Sequence, residues 1–209
     1  MIVSCTDSDI KLAIKKIKAG EIIVFPTDTV YGLGCDPYNK KTVSRLYEIK
    51  KREKTKPFPI LGISKTELEK IAEFNTLERK IAEKFWPGQV TLILKIKDEK
   101  IRQSLCLDKK IAGRVPNNKC VLSLLKECKL LVGTSANISG TIPFTDPNEC
   151  SKNLNGYDLL IDDWIISSQR ESTIVEIEED DIKIVREGSI SEKEIREIHW
   201  ICSLLAQEI

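Results

Sequence analysis

The chain has one histidine, His199, one methionine, and aromatic residues at only 6% of its 209 positions. A single imidazole excludes a zinc site built from several histidines. His199 falls in a C-terminal helical pattern and reads as a surface or packing residue. A dominant charge of one sign is also missing: 33 Lys and Arg stand against 32 Asp and Glu, a net charge of +1. A protein that coats a polyanion carries a larger basic excess, so wholesale nucleic-acid binding is not indicated, although a local basic patch is compatible with this balance. No apolar run approaches the roughly 20 residues of a membrane helix. The start, Met1 to Asp7, has no basic segment followed by an apolar stretch, so no signal peptide is read and a cytoplasmic location is expected. The seven cysteines, at 5, 35, 106, 120, 128, 150 and 202, are odd in number and form no CxxC pair. That pattern predicts reduced, mostly buried thiols rather than a disulfide framework or zinc ribbon. No Ser-His-Asp set and no Walker lysine loop is present either.

What is there is an ordinary globular balance, 41% hydrophobic and 31% charged, read as a single domain over 1–209. Apolar spacing alternates between helix and strand. Ile10, Ala13, Ile14 and Ile17 recur at helical spacing before Gly20, and Ile22 to Phe25 is a continuous apolar run read as a buried strand. Thr42 to Ile49 reads as a helix and Phe58 to Ile63 as a strand. Ser64 and Glu67 form a capping box for a helix with Leu68, Ile71 and Ala72 inward. Leu77 to Phe85 is helical and stops at Pro87-Gly88; Val90 to Ile96 is the clearest strand. Ile111 to Val115 reads as a strand, Val121 to Cys128 as a helix, Leu130 to Val132 as a strand, and Pro147 to Leu154 as a helix. Strands follow at Leu159 to Ile161, Thr173 to Ile177 and Ile182 to Val185. A second capping box, Ser191 and Glu194, opens a last helix over about 191–207. The alternation predicts an α/β fold with one twisted, mixed, open sheet flanked by helices.

Four segments are not simple connectors. Pro26 to Gly34 (PTDTVYGLG) follows a buried strand with hydroxyls and glycines; it is either a capped turn or a ligand loop, and its GxG lacks the third glycine of a dinucleotide fingerprint. Lys50 to Lys56 carries four lysines and Arg52 at a helix end. Such cations suit the helix dipole, and equally a phosphate clamp. Gly133 to Gly140 (GTSANISG) reads as an Asx or Ser turn or as a phosphate cradle. Arg170-Glu171-Ser172-Thr173 precedes one strand and Arg186-Glu187-Gly188 follows the next, and they meet at one edge if those strands pair antiparallel. Asp162-Asp163 could hold magnesium, but adjacent side chains often diverge and an exposed pair is the simpler reading. Together these features suit an anionic ligand.

The same segments resemble the YrdC family of threonylcarbamoyl-AMP synthases. The resemblance rests on GEIIVFPTDTVYGLG (20–34), the KxR of YEIKKR at Lys50 and Arg52, FWPGQVTLIL (85–94), GRVP (113–116), the SxN of TSANISG at Ser135 and Asn137, and ESTIV (171–175) with VREG (185–188). It implies a concave, positively charged cavity. It also implies a reaction of L-threonine, bicarbonate and ATP to threonylcarbamoyl-AMP and pyrophosphate. The product then feeds a separate tRNA threonylcarbamoyl transferase, and a transient tRNA contact is among the implied partners.

By the same resemblance, Lys50 and Arg52 are the catalytic cations on the phosphates, with Lys56 nearby. Ser135, Asn137 and Arg186 contact the nucleotide, Thr29 and Ser172 contact threonine, and Arg114 is a fork for its carboxylate. Magnesium is expected with ATP. The sequence departs from the family where Glu53 and Glu187 replace prolines, Lys56 replaces an asparagine, and Leu61 stands where some members have histidine. It resembles the short, single-domain form. Two other readings are an RNA-binding module that makes no adenylate and a relative that forms carbamoyl-adenylate from another donor.

Overall fold

Local signals start most of the helices. Thr6, Asn39, Asn75 and Asn118 each accept a hydrogen bond from a first-turn N–H, and Asn75 with Glu78 completes a capping box. In the computed structural model, residues 1–168, 170–179 and 181–205 are described, with side chains as far as Ile198. The His199 side chain and the expected helix end near Gln207 lie outside the described residues.

The order begins β1 (Ile2–Ser4), α1 (Asp7–Lys18), β2 (Ile23–Phe25), β3 (Gly32–Gly34), α2 (Lys40–Lys50) and β4 (Ile60–Gly62). It continues α3 (Lys65–Glu69), β5 (Ala72–Glu73), α4 (Thr76–Phe85), β6 (Val90–Ile96), α5 (Glu99–Ser104) and β7 (Lys110–Arg114). Then come α6 (Lys119–Cys128), β8 (Leu130–Val132), β9 (Thr134–Ser135), α7 (Pro147–Asn153) and β10 (Leu159–Asp162). β11 (Thr173–Glu178), β12 (Asp181–Arg186) and α8 (Glu192–Leu205) end the described chain.

The fold is mixed α/β as expected, but its strands divide between two sheets instead of one. One has the order β1-β10-β2-β3-β9, and the other β12-β11-β6-β7-β4-β8 with β5 beside β6. Both contain parallel and antiparallel pairs. Short apolar runs specify strands but not partners, so the division was not legible.

The smaller sheet is buried on both faces. Ile23 and Phe25 of β2 pack with α1 and α6, while Ile22 and Val24 face the main core. Leu159 and Ile161 of β10 likewise oppose Leu160. Period-2 alternation between two apolar layers is the reason these strands read as unbroken apolar runs.

The helix expected to run from Ser64 through Ala72 ends at Glu69. Ser64 accepts from the Glu67 N–H at 3.2 Å, but the Glu67 carboxylate turns to Lys70, and Ala72 pairs with Ile96 across β5 and β6. The expectation of reduced thiols fails at one pair, because a disulfide joins Cys5 to Cys120, whose Cα atoms are 5.9 Å apart. These residues are 115 positions apart, and only the packing of α6 beside the end of β1 brings them together. Cys35 and Cys150 are free and buried, and burial pushes both thiols up. Among the described residues no helix is long and apolar enough to cross a membrane.

Gly34 fixes how closely the sheets approach. A Cβ there would strike the Val132 carbonyl oxygen and come within 2.9 Å of the Phe25 ring. Gly34→Ala is therefore expected to lose about 2 kcal/mol or more in urea unfolding. Wild-type stability in that variant would contradict the packing of β3 against β8.

Candidate active site

A cavity of about 510 Å³ opens on one face of the larger sheet. Alternate residues of its strands line it: Thr91 and Ile93 of β6, Lys110, Ala112 and Arg114 of β7, and Ile174 and Glu176 of β11. The turn between β2 and β3, the stretch after α2, and Gly133 to Ser135 close the other side.

Arg114 ends β7 with its side chain only 7% exposed. Its Nε donates to the Gly88 carbonyl at 2.8 Å, one terminal nitrogen to Thr29 Oγ1 at 3.1 Å, and the other to Asp28 Oδ1 at 2.5 Å. Burial lowers its pKa, and the Asp28 charge opposes that shift. Three of the five guanidinium N–H groups are thus used, leaving one on each terminal nitrogen for a ligand. The turn holding Thr29 is itself braced: Thr27 Oγ1 donates to the Val30 carbonyl at 2.6 Å and accepts from the Thr29 N–H at 3.1 Å. Gln89 donates to the Asp28 carbonyl at 2.7 Å.

Lys50, the last residue of α2, is 1% exposed. Its Nζ donates to the Ser135 carbonyl at 2.5 Å and to Asn137 Oδ1 at 2.6 Å. Ser135 Oγ donates to the same Asn137 oxygen at 2.7 Å, and Asn137 Nδ2 donates to the Thr141 carbonyl at 2.6 Å. The GTSANISG segment is therefore both the turn and the cradle that its sequence offered. Ser135 lines the cavity; Lys50 and Asn137 stand behind it. Burial pulls the Lys50 pKa down to about 7, with the Arg52 charge adding and Glu171 opposing.

Arg52 lines the cavity half-buried and also shapes the loop that follows. It donates to the carbonyls of Lys56 (2.6 Å) and Pro57 (3.2 Å) and lies 5.5 Å from the Phe58 ring centre. Burial lowers its pKa. Lys56 is exposed at the rim and pairs with Glu53 at 3.3 Å. β11 and β12 are antiparallel, so their flanking segments do meet. Arg186 donates to Glu171 at 2.7 Å and to the Ser172 carbonyl at 2.9 Å. Ser172 Oγ lies 2.8 Å from Thr91 Oγ1.

Seven of the nine expected side chains line this one cavity: Thr29, Arg52, Lys56, Arg114, Ser135, Ser172 and Arg186. The sequence reading included Tyr31 only as part of its candidate loop and missed Thr91, Lys110 and Glu176 as wall residues. A threonine within an apolar strand and a glutamate at a buried strand position were the available signals. Asp162 and Asp163 are half-buried, not exposed. Asp162 Oδ1 accepts from the Trp164 N–H, and the Asp163 N–H donates to the Tyr31 hydroxyl. Neither lines the cavity.

Fold and site together define an α/β protein whose cavity, set with three arginines, suits an anionic ligand of nucleotide size. Residues 15–188 match the Sua5/YciO/YrdC family profile, described as "Telomere recombination", and the chain belongs to that family. A Methanocaldococcus jannaschii protein provisionally named threonylcarbamoyl-AMP synthase is 40% identical over 177 residues, 84% of each chain. The threonylcarbamoyl-AMP synthase of Bacillus subtilis is 29% identical over 93% of this chain, which spans only 58% of that relative. The crystal structure of P. abyssi Sua5 complexed with L-threonine superposes with a TM-score of 0.87 at 28% identity, over 95% of this chain and 60% of that one.

The Lys50 shift sets a pH dependence. Its folded pKa of about 7 lies below its ordinary 10.5, so between these values the unfolded chain binds more protons. Stability therefore rises with pH across that window, with a contribution of up to about 1.4 kcal/mol per pH unit. Lys50→Met should remove this slope in urea unfolding from pH 7 to 10. Equal slopes in the two proteins would show that Lys50 is charged in the fold throughout.

Proposed function

We propose that this chain is a threonylcarbamoyl-AMP synthase, a nucleotidyltransferase acting in tRNA modification. The observation that carries the reading is the convergence of Arg52, Arg114, Arg186, Thr29, Ser135 and Ser172 on one cavity. L-Threonine sits at the Arg114 end, its carboxylate on the two free guanidinium N–H groups and its hydroxyl near Thr29 or Ser172. The nucleotide takes the rest, with Ile93, Ala112, Ile174 and Val185 offering an apolar strip to the base. Bicarbonate condenses with the threonine amine to a carbamate. A carbamate oxygen then attacks the α-phosphorus, and pyrophosphate leaves. Negative charge spreads over the phosphate oxygens as this happens, so pre-placed cations do most of the work.

Arg52 and Arg186 supply that charge at the wall, with Lys56 at the rim. Lys50 acts from behind by holding Ser135 and Asn137 in place. Magnesium enters as part of the ATP substrate. The wall carboxylates Glu171 and Glu176 are already paired with Arg186 and Lys110, so they offer no ready-made cage for the ion. A cytoplasmic location and a downstream tRNA threonylcarbamoyl transferase belong to the same proposal. The RNA-module alternative needs its cations at a surface, and Lys50 and Arg114 are buried.

The test is pyrophosphate release from ATP and bicarbonate, with and without L-threonine, and mass detection of the adenylate. Threonine-dependent release is expected; ATP binding without it would overturn the reading. Arg52→Ala should lower kcat/KM by about a hundredfold. Its carbonyl and ring contacts add a stability loss of about 1 kcal/mol, more than a freely solvated cation would cost. Wild-type turnover in Arg52→Ala would remove Arg52 from the mechanism.

A further inference from the structure

The disulfide has a third neighbour. Cys5 leaves β1, Cys120 sits in the first turn of α6, and Asp163 follows β10. The two sulfurs and a carboxylate oxygen all lie within 4.8 Å of one another. This convergence is built by the fold. β1 and β10 pair in parallel with Ser4 opposite Asp162, so Cys5 and Asp163 leave the sheet side by side. Asn118 Oδ1 accepts from the N–H groups of Cys120 (2.9 Å) and Val121 (3.2 Å), which fixes the start of α6.

A disulfide does not require that carboxylate. Beside two thiols it is a burden, since ionising either thiol places like charges together. A divalent cation turns the same arrangement to advantage. Two thiolates and a carboxylate are a donor set for zinc, with the fourth tetrahedral position left to water. The N-terminus of α6 stabilises the negative charge in excess of the ion's own. Cys120 is buried while Cys5 and Asp163 are half-buried, so the donors are held yet reachable.

We propose that Cys5, Cys120 and Asp163 form a binding site for a thiophilic divalent cation, zinc foremost, when the two cysteines are reduced. A phosphine or dithiol supplies two electrons, and two protons are taken up, to open the disulfide to two thiols. Metal binding then releases the two thiol protons. The bound ion clamps the edge strand β1 to α6 and to the end of β10. It also fixes the residue whose N–H donates at 3.2 Å to the hydroxyl of Tyr31, a wall residue of the cavity. The site is independent of the proposed reaction.

The test uses full-length protein reduced with a phosphine. Cadmium titration should give a thiolate-to-metal absorption band that saturates at one equivalent per chain. Cys5→Ser and Cys120→Ser should each lose it, and Asp163→Asn should keep the band but bind at least about tenfold more weakly. In wild-type protein, zinc should slow iodoacetamide alkylation of Cys5, read by peptide mass spectrometry, while exposed Cys106 continues to react. This second readout needs no variant to fold. Three results would each overturn the proposal: a wild-type band in the Cys5→Ser/Cys120→Ser double variant, wild-type affinity in Asp163→Asn, or Cys5 alkylation unaffected by zinc.

Discussion

The buried pair of Arg114 and Asp28 holds the two sheets in the relation that makes a cavity. Arg114 ends a strand of the larger sheet, and Asp28 sits in the turn after β2 of the smaller one. Side-chain exposures of 7% and 11% mean that both charges are largely removed from water. Such a pair is costly to desolvate and adds little net stability by itself. What it adds is orientation, because the guanidinium is held at three points by Asp28, Thr29 and Gly88. The sheets could pack their apolar faces in several ways, but few of those ways satisfy this fork. Thr29 is then placed on the cavity wall, and the two unused N–H groups are left beside it.

Lys50 repeats the device behind a second loop, at Ser135. An ammonium at the end of α2 is desolvated against a carbonyl and an amide oxygen of the turn after β9. That burial disfavours the charge and, with the nearby Arg52, lowers its pKa. The two loops that close the cavity opposite the larger sheet, at Thr29 and at Ser135, are thus each held by a buried cation, which is how short connections between two sheets are kept in one geometry. The cations that line the cavity more openly, Arg52 and Arg186, are each tied by carbonyl hydrogen bonds. They reach a ligand with little reorganisation, which is the condition for electrostatic catalysis.

Much of this was legible in the residues. The strands at Ile23 and Val90, the helices from Asp7 and Lys119, and the box at Ser191 follow from spacing and caps that act over a few positions. The hydroxyl-rich and basic loops were visible as candidate ligand loops for the same reason. β3 and β9 were not visible, since Gly32–Gly34 and Thr134–Ser135 have no apolar pattern and become strands only by pairing with their neighbours. Thr91, Lys110 and Glu176 became wall residues because sheet alternation turned them to the cavity, which an isolated segment cannot reveal.

Sequence by itself determined the α/β class, the caps, the apolar runs and the residue types at the site, because those depend on neighbours within a few positions. Tertiary structure alone decided that the strands form two sheets, that Lys50 and Asn137 stand behind Ser135, and that Cys5 meets Cys120 and Asp163. Each is a contact between distant stretches of chain. It is settled by which apolar faces bury each other and which buried charges find partners, and only the assembled core fixes both.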